Sequence, residues 1–113
     1  MESSNKQLLL TLSKLPFDIM ITGEKNIEIR KNSKWINSRL FNKDGSIKEY
    51  DIIKFTNGYG YKVPYFIVKY NGFYYAENDH ELNYSNGLKV EVEKDDIIIR
   101  LGNILESRKE KLI

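Results

Sequence analysis

Apolar and polar residues alternate in several short segments of this chain, and that period of two limits the fold more than any other feature. "KNIEIRK" (Lys25–Lys31), "DIIKFT" (Asp51–Thr56), "YFIVKY" (Tyr65–Tyr70) and "LKVEVE" (Leu88–Glu93) place successive side chains on opposite faces. Such segments read as strands with one face buried. "QLLLTLS" (Gln7–Ser13) and "DDIIIRLGNIL" (Asp95–Leu105) are nearly continuous apolar runs, as expected of strands covered on both sides. Isoleucine is abundant, tyrosine is the commonest aromatic and Ala76 is the only alanine, a bias that favours strands over helices.

Two segments break the period. "SKLPFDIMITG" opens with Ser13 as a cap and holds Pro16 in what would be a first helical turn. Phe17, Met20 and Ile21 then share one helical face, and Gly23 stands where a left-handed residue ends a helix. "NSKWINSRLF" reads as a second short helix capped by Asn32 or Ser33. Asp44-Gly45 marks a turn, Asn57–Pro64 a glycine- and proline-containing loop, and Asn71-Gly72 a tight hairpin turn. "ENDHELNYSNG" (Glu77–Gly87) is polar and irregular, and the charged tail Glu106–Ile113 is expected to fray. The order is strand, helix, strand, helix, then four or so strands. This predicts an α+β fold, a small mixed β-barrel with two short helices in its N-terminal half. The 113 residues make one domain over 1–113, with its core at about 7–105.

Composition excludes several functions. Without cysteine there is no disulfide, zinc-thiolate site or thiol nucleophile. The apolar runs are too short to span a bilayer, and "MESSNKQ" lacks the apolar stretch of a signal peptide, so a cytoplasmic protein without membrane contact is expected. His80, the only histidine, lies between Asp79 and Glu81 in a polar stretch and reads as a surface residue; no metal and no cofactor are expected. A net charge of +2 does not by itself point to nucleic acid.

The stretch "GEKNIEIRK" (Gly23–Lys31) carries the most chemistry. Gly23 allows a sharp turn from helix to strand, and Lys25 follows that turn. A bend there would bring Lys25 beside Glu28 and Arg30, which stand two apart on one strand face. Arg30 offers a planar fork for phosphate or a base edge. Glu28 would accept from an amino group, hold Arg30, or act as a base. Lys25 would bind phosphate, or act as a nucleophile if its pKa were lowered. The plainer reading is a solvated outer face with Ile27 and Ile29 buried and a surface ion pair worth about 0–1 kcal/mol. Elsewhere, aromatic and basic residues interleave: Trp35 with Lys34 and Arg39, and Asn57 and Tyr59 in a loop with Tyr61, Lys62 and Tyr65. That mixture suits single-stranded nucleic acid, in which bases stack on rings and cations follow phosphates.

Gly23, Lys25, Glu28 and Arg30 fit the spacing G-x-K-x-x-E-x-R, preceded by "LLLTLSKLPFDIMIT". With "IIIRLGNIL" near the end and "YDIIKFTNGYG" between, the chain from Leu8 to Leu105 resembles the ASCH domain family, a relative of the PUA fold, and in particular its small phage and bacterial members. The resemblance implies a PUA-like barrel flanked or plugged by helices, RNA or other nucleic acid as partner, and motif residues lining a cleft. One branch of the family hydrolyses N4-acetylcytidine nucleosides through a lysine, a threonine and a glutamate; another reported activity is ribonucleolytic. Lys25 matches the lysine, Glu28 stands where that branch has threonine, and Glu77 and Glu81 are the candidates for the downstream glutamate. The leading expectation is a nucleic-acid-binding domain using Lys25, Glu28, Arg30, Lys34, Trp35, Arg39, Asn57 and Tyr59. An amidohydrolase with Lys25 and Glu28 as catalytic residues is the first alternative. A protein-interaction module of viral or bacterial origin, with a protein partner, is the second.

Overall fold

The computed structural model describes residues 6–113, so the reading of the extreme N-terminus falls largely outside the described residues. The chain starts with strand β1 (Gln7–Thr11), whose Leu8 and Leu10 point inward while Leu9 faces out. Helix α1 (Lys14–Met20) follows, with Ser13 at its N-cap and Pro16 in its first turn, where the missing N–H costs nothing. It buries Phe17, Ile19 and Met20. Gly23, at φ +90°, donates its N–H to the Met20 carbonyl and turns the chain into β2 (Ile27–Arg30). Helix α2 (Lys34–Leu40) is capped by the Ser33 hydroxyl, which accepts from the Ile36 N–H, and it buries Ile36 and Leu40. Both helices pack on the same core.

Five strands follow: β3 (Ile52–Thr56), β4 (Tyr65–Tyr75), β5 (His80–Asn83), β6 (Lys89–Val92) and β7 (Ile97–Arg108). The main sheet has the order β1-β3-β4-β7-β2, with β1 parallel to β3 and the other pairs antiparallel. It curls into a half-barrel, so the fold is α+β with two helices and a mixed sheet. In its core the Phe66 ring packs between Phe17 and Phe55, with ring centroids 5.2 and 5.1 Å away. Among the described residues no helix is long and apolar enough to cross a membrane.

Three local expectations change. Asn71-Gly72 is not a hairpin turn. Strand β4 runs through it, with Gly72 at φ +83° and register shifts against β7 on either side of Tyr70. The chain does not fold back there because its neighbour is the twelve-residue β7, long enough to pair both before and after the irregularity. The segment Glu77–Gly87 is not irregular throughout, since His80–Asn83 pairs with Lys89–Val92 as a separate hairpin. The start of the charged tail does not fray: β7 continues to Arg108, whose partner is Tyr65.

The barrel is left open between its edge strands, β1 and β2. There the Arg30 Nη2 donates to the Thr11 carbonyl at 3.0 Å and bridges the gap.

Candidate functional site

The seam is built by the helix–turn–strand corner. In β2, Glu28 lies opposite Ile99 of β7 and Arg30 opposite Ile97, and both isoleucines are fully buried. The polar face of β2 therefore points into the half-barrel. Ile27 and Ile29 point the other way, where they pack against Ala76, Val92 and Ile98 under the β5–β6 hairpin. The alternation of this strand is as expected, but its sidedness is not. Glu28 is 5 % exposed and is more buried than either isoleucine, because both faces of the strand are covered.

Burying a carboxylate is costly unless it is paired, and Glu28 is paired twice. Its Oε1 accepts from the Lys25 Nζ at 3.2 Å and its Oε2 from the Arg30 Nε at 2.6 Å. The turn at Gly23 brings Lys25 round to this position, so the motif's three charged residues do converge. Lys25 is only 3 % exposed; its ammonium also donates to the Ile27 carbonyl at 2.6 Å and lies 3.6 Å from the Met20 Sδ. Burial holds the Lys25 pKa below its ordinary value, opposed by the Glu28 carboxylate, while the Arg30 charge lowers it further. A recess of about 260 Å³ adjoins the cluster, bounded by Ser13, Pro16 and Val90.

Arg30 also lines a second, larger hollow of about 860 Å³. Thr11, Leu12 and Ser13 belong to both, so the two concavities meet at the seam. Trp35 and Arg39, one turn apart on α2, form one wall of the larger cleft, and Asn57, Gly58 and Tyr59 form the other. Trp35 is 46 % exposed and the Arg39 guanidinium lies 5.1 Å from its ring centroid. Tyr59 is 87 % exposed. The lining holds two arginines and no carboxylate.

Not every expected residue joins this cleft. Lys34 faces a different hollow, with Asn37, Phe41 and Lys43. The Asn57 side chain is engaged by the fold, donating to the Leu12 carbonyl at 3.0 Å. Glu77 and Glu81 are exposed and line neither concavity, and His80 is exposed beside the Asn78 carbonyl. Among the described residues no cluster of three or more metal-ligating side chains occurs. Leu9, Thr11 and Ser13 are cleft residues that sequence reasoning passed over. Strand β1 is not covered on both sides as its run of leucines suggested: Leu8 and Leu10 face inward and leave Leu9, 54 % exposed, and Thr11 on the other face.

Comparison of the chain with protein-family models, with curated proteins and with solved structures finds no match.

Proposed function

We propose that this half-barrel is a PUA-like domain of the ASCH type that binds single-stranded nucleic acid, RNA in the first instance, in the cleft between α2 and the Asn57–Pro64 loop. The observation that carries the reading is the lining of that cleft. Two exposed aromatic rings face a hollow that holds two guanidinium groups and no carboxylate. Bases stack on exposed rings at about 1–3 kcal/mol each by alanine substitution, while cations follow the phosphates. Trp35 and Tyr59 take the bases, Arg39 and the cleft side of Arg30 take phosphate, and Glu28 holds Arg30 in place from behind. Lys25 supports Glu28 and lies too deep to meet a strand.

The test uses residues whose loss leaves the core intact. Titration of a labelled oligouridylate should show Trp35→Ala weakening binding by roughly tenfold. Arg39→Ala should lower the slope of log affinity against log salt by about 0.7, the value of one phosphate contact on a single strand. Wild-type affinity retained by both variants, or no binding by the wild type, would refute the assignment.

A second reading has one observation in its favour: the buried Lys25, with its lowered pKa, borders a recess beside Glu28. That combination suits hydrolysis of the acetyl amide of a nucleoside such as N4-acetylcytidine, with cytidine and acetate as products. It ranks second because the Lys25 ammonium is already engaged by Ile27, Glu28 and Met20. Release of cytidine that disappears in Lys25→Met would promote it; no product at high protein concentration would remove it.

A further inference from the structure

The loop from Asn57 to Pro64 is more firmly held than its composition requires. Gly58 and Gly60 have φ of +114° and +94°, backbone conformations that glycine adopts without strain. The Asn57 N–H donates to the Pro64 carbonyl at 2.9 Å, and the Thr56 hydroxyl donates to Gly58 at 2.8 Å. From the far end of the chain, the Arg108 Nη2 donates to the carbonyls of Tyr61 and Val63, at 2.7 and 2.6 Å. The Leu112 N–H reaches the Lys62 carbonyl at 2.7 Å. Yet the two rings on this loop stay outside, with Tyr59 87 % and Tyr61 78 % exposed. Bonds that fix a loop in order to complete a core would bury its aromatics. Bonds that fix it with its rings in solvent remove in advance the ordering cost of binding.

Charge identifies the occupant. From Lys54 to Tyr65 the sequence has no aspartate or glutamate. Lys62 lies 5.7 Å from the Tyr61 ring, and Lys54 and Arg108 lie 4.5 and 4.9 Å from the Tyr65 ring. Of the acids on the C-terminal segment that meets this loop, Glu106 is engaged by the Tyr65 hydroxyl and Glu110 stands between Lys109 and Lys111. Rings with cations beside them, in a group where lysine and arginine outnumber the acids, are complementary to bases joined by phosphates, and less so to a typical protein surface of mixed charge.

We infer that Tyr61 and Lys62 form a second stacking station for single-stranded nucleic acid, next to the cleft and held in place by Arg108, so that a bound strand continues from Trp35 and Tyr59 onto Tyr61. The inference rests on the nucleic-acid reading of the cleft and extends it by a site of its own. Tyr59 and Tyr61 are two residues apart, at most ~7 Å along the chain, so their rings serve neighbouring nucleotides. Arg108 is a positioning residue: its Nη2 is spent on the loop carbonyls, and it acts through the loop.

The experiment compares a short oligouridylate of about four nucleotides with a longer one of about ten, a range that spans typical single-strand site sizes. Fluorescence anisotropy is measured for the wild type, Tyr61→Ala and Tyr61→Phe. The wild type should bind the longer strand more tightly, and Tyr61→Ala should lose about tenfold of that gain while keeping its affinity for the short strand. Tyr61→Phe, which keeps the ring, should behave as the wild type. An undiminished length gain in Tyr61→Ala overturns the inference and leaves the cleft standing. No binding of either length by the wild type overturns both. Self-association that depends on Tyr61, without a length gain, makes the loop a protein surface and also overturns the inference.

Discussion

Glu28 sits between Lys25 and Arg30 inside the seam, and each of the three is tolerable there only because of the others. Glu28→Gln keeps the shape and removes the charge, leaving Lys25 buried without a counter-ion. We expect urea unfolding to show a loss of about 3–5 kcal/mol, the cost of breaking a buried pair from one side. A loss under ~1 kcal/mol would mean that the cluster behaves as an exposed pair. Lys25 adds a pH dependence. Its folded pKa lies below the ordinary 10.5, so between the two values the unfolded chain holds a proton that the folded chain lacks. Stability from this group therefore rises with pH across that window. The wild type measured against Lys25→Met should show this rise, and a parallel pair of pH profiles would contradict it. The charges of this motif are visible in the sequence, as is the glycine that turns the chain toward them. The burial of Glu28 is not, because strict alternation defines two faces without saying which of them meets the core. Here both do.

Strand β4 shows the same limit for an element. Asn71-Gly72 carries the local chemistry of a hairpin turn, but whether a chain turns back depends on what lies alongside. Strand β7 lies alongside, and its Gly102 passes so close that an added Cβ would stand 2.9 Å from the Lys69 Cβ and 3.0 Å from the Asn71 side-chain nitrogen. Gly102→Ala should therefore cost about 1–3 kcal/mol through overpacking, read as a lowered thermal midpoint; an unchanged midpoint would show that the two strands yield freely. The helices were easier to read. Ser13, Pro16, the Phe17–Met20 spacing and Gly23 are all local signals, and α1 occupies the stretch they mark out. The β5–β6 hairpin was hidden because its first strand, His80–Asn83, has mostly exposed polar side chains and no apolar alternation to show.

For the whole molecule, the curl of the sheet turns scattered residues into a site. Strand β1 supplies Leu9 and Thr11, α2 supplies Trp35 and Arg39, and the loop after β3 supplies Tyr59; the Arg30–Thr11 bridge holds the two edges at the distance that leaves a cleft between them. The residue types of that cleft could be read along the chain, since aromatic and basic side chains interleave in it. Their convergence could not, because it depends on contacts between segments far apart in sequence and on which edges of the sheet are left open. The same geometry separates Lys34 from its neighbour Trp35, since adjacent helical positions point about 100° apart. The claim that this cleft is where a single strand binds is most directly tested by amide chemical-shift mapping during titration with oligouridylate. The account predicts shifts concentrated at Leu9–Ser13, Trp35, Arg39 and Asn57–Lys62, with the β5–β6 hairpin unmoved. Shifts centred on that hairpin, or none at saturating strand, would contradict it.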